Sequence, residues 1–261
     1  MLSTSRFQWR VVLARPRNPL NIGAAARAMA NFGFSDLVVV DPFDPVWREA
    51  RSAVGAEDLV RSARCVKTLS EALESVTLVV GTTTGARRSL PQELMSLTEL
   101  PAWLRGKGRR HRAAILFGPE KTGLTNEHLS FCHVLVRIPT SPRCPSMNLG
   151  QSVAVCAYEL ARAGLVDRRP AAAGSTQATP GPGKLPGARV YQSSPASVQS
   201  LDHILLRGAA VLDRAGYLEP KTRQAAVLKL RRLLLRMDLT NYDAKVLGGV
   251  LAQVEWKLEN P

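Results

Sequence analysis

Cysteine is scarce in this 261-residue chain, and its four cysteines stand apart from one another. Cys65, Cys132, Cys144 and Cys156 form no C-x-x-C pair and have no histidine at zinc-finger spacing. We therefore interpret them as separate reduced thiols and expect no structural metal. The neighbouring Cys132 and His133 are interpreted as packing residues and not as metal ligands.

Long apolar runs are also missing, since no stretch reaches the length of a membrane span. The first ten residues, MLSTSRFQWR, lack the apolar core of a signal peptide. From these two absences we expect a cytoplasmic protein with no membrane partner.

Acidic residues are too few to balance the basic ones. The chain has 21 Asp and Glu against 35 Lys and Arg, which gives a formal net charge of +14. A surface this basic attracts polyanions through long-range electrostatics and through the release of counterions. The composition therefore predicts nucleic acid as the partner.

Short apolar runs alternate with helix-like segments between about Arg10 and Leu165. The runs are rich in Val, Leu and Ile and predict buried parallel strands. They are WRVVLA (9–14), LVVVD (37–41), TLVVG (77–81), AAILFG (113–118) and VLVRIP (134–139). Helices are expected up to Gly33, from about Pro45 to Arg64, in LSEALESV (69–76), after Pro91, and in TNEHLSFC (125–132) with Thr125 as N-cap. The alternation predicts an α/β fold, an open parallel sheet with helices on both faces.

The composition changes after residue 165. Segment 166–197 is rich in Pro, Gly, Ser and Ala, which is typical of a flexible linker. In 198–261 apolar residues return at helical spacing and predict three helices, broken at Gly216 to Pro220 and near Asn241. We therefore expect three units: an α/β domain in 1–165, a linker in 166–197 and a small all-helical extension in 198–261.

The middle helix of that extension, KTRQAAVLKLRRLLLR (221–236), contains no acidic residue. A solvated face, a calmodulin-like target and an RNA-contacting surface are all compatible with such a helix, and the net charge favours RNA. Lys229, Arg231 and Arg232 are the candidates for that contact. The basic segment RGKGRRHR (105–112) is either a second RNA-contacting patch or a solvated loop.

Four segments lie where predicted strands end, the edge at which parallel sheets bind ligands. They are NPLNIGAAAR (18–27), GTTTGARR (81–88), GPEKTGL (118–124) and SPRCPSMNLGQS (141–152). In the first, Gly23 and Arg27 fall on roughly one face of a helix, where an anion can approach the backbone beside the guanidinium. The alternative is an alanine-rich helix with an arginine in solvent. No segment fits GxGxxG or a Walker motif, which sets aside a nicotinamide enzyme and a P-loop ATPase.

Four motifs in register resemble the SPOUT superfamily of trefoil-knotted RNA methyltransferases, and within it the TrmH-like ribose 2'-O-methyltransferases of the TrmJ type. They are NxGAxxRxMxxFG (21–33), VVGTT (79–83), LFGxExxGLTNE (116–127) and IPTxPxxxSMNLxQSVAVxxYE (138–159). The C-terminal LKLRRLLLR and GGVLAQVEW are similar to the helical extension of the TrmJ type. The resemblance implies a chain that passes through its own loop, a homodimer, and S-adenosylmethionine as cofactor.

The resemblance also implies roles for individual residues. Arg27 would be catalytic, by binding phosphate and stabilising charge on the acceptor oxygen. Asn21 would orient either the arginine or the ribose, and Ser146 would contact the acceptor oxygen. An arginine rarely gives up its proton, so Arg27 is not expected to be a free general base, and activation through the bound phosphate stays open. Arg88 would hold RNA phosphate. The cofactor would be surrounded by Thr82, Thr83, Gly118, Glu120, Ile138, Ser146, Met147, Asn148 and Leu149.

The function implied by the resemblance is methylation of a ribose 2'-hydroxyl in tRNA, with cytidine or uridine at nucleotide 32 of the anticodon loop as the expected target. A 2'-hydroxyl is also what distinguishes RNA from DNA. Three alternatives stay open: a ribosomal RNA 2'-O-methyltransferase, a catalytically silent RNA-binding protein of the same fold, and a small-molecule methyltransferase. The charge of +14 is hard to explain for the last of these.

Overall fold

One seven-stranded sheet organises the N-terminal two thirds of the chain in the computed structural model, which describes residues 7–49, 51–84, 92–108, 110–166 and 194–260. Its strands are β1 (Phe7–Ala14), β2 (Asp36–Val40), β3 (Arg64–Val66), β4 (Leu78–Thr82), β5 (Leu94–Ser96), β6 (His111–Phe117) and β7 (Val134–Arg137). The order is β3-β2-β1-β6-β4-β7-β5, and every neighbouring pair is parallel. The predicted parallel sheet is confirmed. The passage of the chain through its own loop stays a prediction.

Helices cover both faces of the sheet, as predicted. Successive residues of a strand point to opposite faces, so that Val11 and Leu13 of β1 lie in one core while Val12 and Ala14 lie in the other. The first core is covered by α1 (Pro19–Asn31), α2 (Glu57–Ser62), α4 (Leu100–Arg105) and α6 (Leu149–Arg162). The second is covered by α3 (Leu69–Ala72), α5 (Asn126–Ser130) and the first turn of α7 (Val198–Arg214).

Side-chain caps fix where the helices beside the ligand edge begin. The Asn18 side chain accepts a hydrogen bond from the N–H of Leu20, with Pro19 at the first helical position of α1. Thr125 caps α5 in a capping box with His128, which confirms the predicted N-cap. Asn148 caps α6 by accepting from the N–H of Gly150.

Two helix predictions are wrong. The helix expected from Pro45 to Arg64 is a short 3-10 turn at Trp47–Glu49 followed by α2. Gly55 interrupts it, because its φ of +78° lies in the left-handed region, which a continuous right-handed helix excludes. The helix expected after Pro91 is the strand β5, and α4 begins only at Leu100.

The structure contains two strands that the sequence did not predict, and one helix is shorter than predicted. Strands β3 and β5 were not predicted, because three residues are too few to give a period. The helix expected over LSEALESV is limited to Leu69–Ala72, since Leu73 already leaves helical geometry as the C-cap.

The C-terminal residues form the three predicted helices, α7, α8 (Arg223–Arg236) and α9 (Asn241–Glu259). They share a small core that includes Leu201, Ile204 and Leu235. The start of α7 docks on the sheet domain, where the N–H of Val198 donates to the carbonyl of Val76 at 2.8 Å. Most of the predicted linker, residues 167–193, lies outside the described residues. In the described ranges no helix combines the length and apolarity that a membrane span requires.

Candidate active site

A cleft of about 550 Å³ opens at the carboxyl ends of β4, β6 and β7. This volume lies in the range of cofactor and substrate sites, and the position is where open parallel sheets bind ligands. All residues expected to surround the cofactor, except Asn148, line it: Thr82, Thr83, Gly118, Glu120, Ile138, Ser146, Met147 and Leu149.

Hydrogen bonds between strand ends hold the floor of the cleft. The Thr82 hydroxyl donates to the carbonyl of Leu116 at 2.8 Å, and the N–H of Thr83 donates to the carbonyl of Val136 at 3.0 Å. The end of β4 is therefore tied to both neighbouring strands. Because these groups are satisfied within the protein, the shape of the floor is set before a ligand binds.

The loop after β6 folds back on itself at Gly118. A Cβ atom at this position would lie 2.2 Å from the carbonyl carbon of Gly123 and 2.3 Å from the nitrogen of Leu124, closer than atoms can pack. The N–H of Gly123 closes the loop by donating to the carbonyl of Pro119 at 2.8 Å. Glycine is thus required at 118 for this wall of the cleft to form.

A chain of side-chain hydrogen bonds joins three loops at the rim. The amide of Asn21 donates to Glu120 Oε1 at 2.7 Å, and the amide of Asn148 donates to Asn21 Oδ1 at 2.8 Å. Glu120 Oε2 also accepts from the N–H of Arg17 at 3.1 Å. The segments 18–27, 118–124 and 141–152, which are far apart in sequence, therefore meet at one point.

Glu120 is ionised at neutral pH. Partial burial raises the pKa of its carboxyl, but hydrogen bonds from Asn21, from its own N–H and from the N–H groups of Arg17 and Asn18 outweigh burial, so the pKa lies below its ordinary value. The rim of the cleft therefore carries a fixed negative charge. A carboxylate already engaged by these donors is poorly suited to act as a general base.

Arg27 lies on the exposed face of α1 and is not among the residues that line the cleft. In the described part of the chain no carboxylate or carbonyl is paired with its guanidinium. Leu20 and Ala24 share its helix face. Beneath Ala24 the helix crosses α6, where a Cβ added at Gly150 would lie 2.7 Å from the Cβ of Ala24. The structure thus places Ser146 in the cleft and Arg27 outside it.

The basic candidates of α8 differ in their surroundings. Lys229 is exposed. The Arg231 guanidinium lies 3.2 Å from Asp202 Oδ1 and 3.9 Å above the centroid of the Phe131 ring, inside the contact between the helical extension and the sheet domain. Arg232 is half-buried, and burial lowers the pKa of its guanidinium. Arg88 lies outside the described residues.

The basic segment 105–112 is partly engaged within the chain. Arg105 donates to the carbonyl of Ala163 at 3.2 Å, and the Lys107 ammonium lies 4.4 Å above the centroid of the Trp103 ring. His111 is buried in β6. Arg109 lies outside the described residues.

The motifs did not point to the backbone donors of Arg17 and Asn18. Asn18 gave an indirect signal, because it caps α1. The N–H groups of Asn18 and of the preceding Arg17 therefore lie in the turn before the helix. Phe117 and Val136 also line the cleft, and their place at the ends of predicted strands could have identified them.

The residues of the cleft fit S-adenosylmethionine. Phe117, Val136, Ile138 and Leu149 offer an apolar surface for a purine, and polar groups of the loops face the same space. The carboxylate of Glu120 suits a ligand that carries a sulfonium cation. Among the described residues there is no cluster of three His, Cys, Asp or Glu side chains able to hold a metal ion.

Known proteins match this sequence over most of its length. The sequence profile of the SpoU rRNA methylase family matches residues 8–158. The tRNA (cytidine/uridine-2'-O-)-methyltransferase TrmJ of Yersinia enterocolitica is 32% identical over 247 residues, which cover 94% of this chain and 91% of the relative. The tRNA (cytidine/uridine/adenosine-2'-O-)-methyltransferase TrmJ of Pseudomonas aeruginosa is 34% identical over 248 residues, which cover 94% of this chain and 93% of the relative.

A solved structure shows the similarity at the level of the fold. The crystal structure of TrmJ from Z. mobilis superposes with a TM-score of 0.75 at 27% identity, covering 94% of this chain and 98% of the other. The match therefore includes the helical extension as well as the sheet.

Proposed function

The chain belongs to the SpoU rRNA methylase family, and from that premise we propose that it transfers a methyl group from S-adenosylmethionine to a ribose 2'-hydroxyl of tRNA. The observation that carries the proposal is the meeting of Asn21, Glu120 and Asn148 at the rim of the cleft. These residues come from three of the four motifs that resemble TrmH-like enzymes. The relatives that bear tRNA in their names match nearly the whole chain.

When bound, S-adenosylmethionine supplies an electrophilic methyl group. The protein must then hold the 2'-oxygen in line with that methyl group and accommodate the proton that the hydroxyl loses. Positioning of this kind can supply about 7–11 kcal/mol of the barrier. Ser146, exposed in the cleft, is proposed to contact the acceptor oxygen.

Arg27 is proposed to bind the phosphate beside the acceptor ribose and to stabilise negative charge on the oxygen. One well-placed donor contributes about 3 kcal/mol to such a step. Since Arg27 is exposed and does not line the cleft of its own chain, we infer that it reaches the cleft of a second copy in a homodimer. The unpaired guanidinium supports this role, because its charge is available for an RNA phosphate.

The RNA surface is proposed to include Arg88, Lys229 and Arg232 and to be continuous with the helical extension. Arg231 is assigned to docking of that extension, since its guanidinium contacts Phe131 and Ser130 of the sheet domain while Asp202 takes up its charge. The target is proposed to be nucleotide 32 of the anticodon loop, on the resemblance to the TrmJ type. The units 1–165, 166–197 and 198–261 are retained as the proposed domain division.

The proposal is tested by incubating the protein with labelled S-adenosylmethionine and a mixed pool of unmodified tRNA and ribosomal RNA, followed by nucleoside analysis. We expect label in 2'-O-methylcytidine or 2'-O-methyluridine from tRNA, and mapping should locate it at nucleotide 32. Label in ribosomal RNA would favour the second candidate function, a ribosomal RNA 2'-O-methyltransferase. The name of the matching family, SpoU rRNA methylase, supports that candidate. No label in any RNA, with cofactor binding intact, would contradict the proposal.

A further inference from the structure

Phe43 is the most exposed large apolar side chain of the described residues, with 73% of its surface accessible. It follows the end of β2, on the edge of the sheet where the cleft opens. An exposed aromatic ring offers apolar area for a partner to bury, and this one lies on the same edge as the cleft.

The ring is held in a defined position. The N–H of Phe43 donates to the carbonyl of Pro16 at 3.1 Å. The guanidinium of Arg17 lies 5.2 Å from the centroid of the ring, within cation–π distance. The next residue along the chain stabilises the turn, since Asp44 Oδ1 accepts from the N–H of Val46 at 2.9 Å.

The same residues connect the ring to the cleft. Arg17 places its guanidinium beside the Phe43 ring and donates its backbone N–H to Glu120 Oε2 at 3.1 Å. Glu120 lines the cleft and binds Asn21. One residue therefore separates the exposed ring from the rim of the site, and the two surfaces face the same edge of the sheet.

The charges around the ring are of both signs. Arg15 forms an ion pair with Asp41 at 3.1 Å, which neutralises that carboxylate. No carboxylate in the described part of the chain pairs with the Arg17 guanidinium. The Asp44 carboxylate accepts an N–H in the turn and keeps its negative charge, so an RNA phosphate is expected on the Arg17 side of the ring. A flat apolar ring beside an unpaired guanidinium is an arrangement on which unpaired nucleic-acid bases stack, with the cation close to phosphate.

We propose that Phe43 and Arg17 form a platform on which an unpaired RNA base next to the methylated nucleotide stacks. The inference rests on the proposed function, which identifies the polymer as RNA. It assigns to Phe43 a role in selecting RNA with an unstacked base next to the methylated nucleotide. Methyl transfer itself does not use the ring, so its loss should weaken RNA binding and leave the chemical step intact.

The test compares Phe43→Ala and Phe43→Trp with wild type, and Val46→Ala is the control because Val46 is another exposed apolar residue of the same segment. Loss of a stacked base should raise the KM of Phe43→Ala for tRNA by at least about fivefold. The kcat and the affinity for S-adenosylmethionine should not change. Phe43→Trp should keep the KM of wild type, and Val46→Ala should not alter it.

A second readout is independent of catalysis. RNA should quench the fluorescence of the Phe43→Trp variant more than that of wild type, because a stacked base quenches indole. Unchanged KM in Phe43→Ala together with no extra quenching would overturn the platform. If Phe43→Ala instead lowered the molecular mass in solution, the ring would belong to an interface between copies, which would also overturn it. Extra quenching in a protein that methylates no RNA would contradict the proposed function while supporting the platform.

Discussion

Single residues of the site act through backbone geometry as much as through their side-chain chemistry. Gly118 matters because a Cβ there would collide with the Gly123–Leu124 backbone, and Glu120 matters because it accepts N–H groups from a loop about a hundred residues earlier. The motifs identified the side chains of this network from the sequence. They could not identify the N–H donors of Arg17 and Asn18, because every residue other than proline has such a group.

His133 provides a prediction about pH that is specific to one residue. Burial lowers the pKa of its imidazole to about 4, with smaller contributions from Lys107 and His111 that lower it and from Asp238 that raises it. Its Nδ1 accepts the N–H of Val79 at 3.1 Å, which requires the neutral ring. A folded-state pKa below the unfolded value means that the unfolded chain binds this proton first as the pH falls.

The stabilising effect of neutral His133 is therefore fully present above about pH 6.5 and is lost progressively between about pH 6.5 and 4. Within that window the free energy of unfolding should fall by up to about 1.4 kcal/mol per pH unit from this group. Urea unfolding of His133→Gln should give a shallower pH dependence than wild type. His203→Gln, at an exposed histidine of α7, is the control. Equal slopes for wild type and His133→Gln would refute the assignment.

At the scale of elements, α5 links the cleft to the helical extension. Its N-cap, Thr125, directly follows the loop 118–124, and its last residue, Ser130, accepts a hydrogen bond from Arg231 of α8 at 3.3 Å. Asp202 of α7 binds both Arg231 and the hydroxyl of Ser70. The largely buried Asp202–Arg231 pair lies within the extension, and it joins the extension to the sheet domain through Ser70, Ser130 and Phe131.

Replacing Arg231 should undock the extension. Arg231→Met leaves the buried Asp202 without its partner, and breaking such a pair costs about 3–5 kcal/mol. Urea unfolding should show that loss, and limited proteolysis should release the helical extension sooner than in wild type. Lys229→Met removes the same charge from the exposed face of α8 and is the matched control. Equal stability and equal proteolysis of the two variants would exclude a docking role.

Elements were predictable where they are long and periodic. The strands with continuous apolar runs and the three C-terminal helices follow directly from the sequence. The three-residue strands β3 and β5 do not, because their pairing depends on neighbours distant in sequence. The division of the predicted helix at Gly55 could not be deduced either, since glycine is compatible with both a helix and a left-handed turn.

At the scale of the whole molecule, the proposed role of Arg27 requires two copies of the chain for each active site. The cleft and the arginine proposed to act in it do not meet within one chain. The charge of +14 is suited to hold an RNA across two such subunits. The sequence could suggest the dimer only through the family resemblance, because no pattern within one chain records which surface a second copy covers.

The central claim is that Arg27 of one subunit acts in the cleft of the other. Its most direct test measures methyl transfer to unmodified tRNA by three samples. They are Arg27→Ala, Gly118→Ala, and the two variants unfolded and refolded together. Each variant alone should lose at least about a hundredfold in rate, since one lacks the transition-state donor and the other the wall of the cleft. Arg27→Ala should still bind S-adenosylmethionine, and Arg61→Ala, at an exposed arginine of α2, should retain full activity.

In the mixture, half of the dimers combine the two variants and contain one intact site, so about one quarter of the wild-type activity should return. A mixture no more active than the separate variants, or full activity in Arg27→Ala alone, would contradict the account.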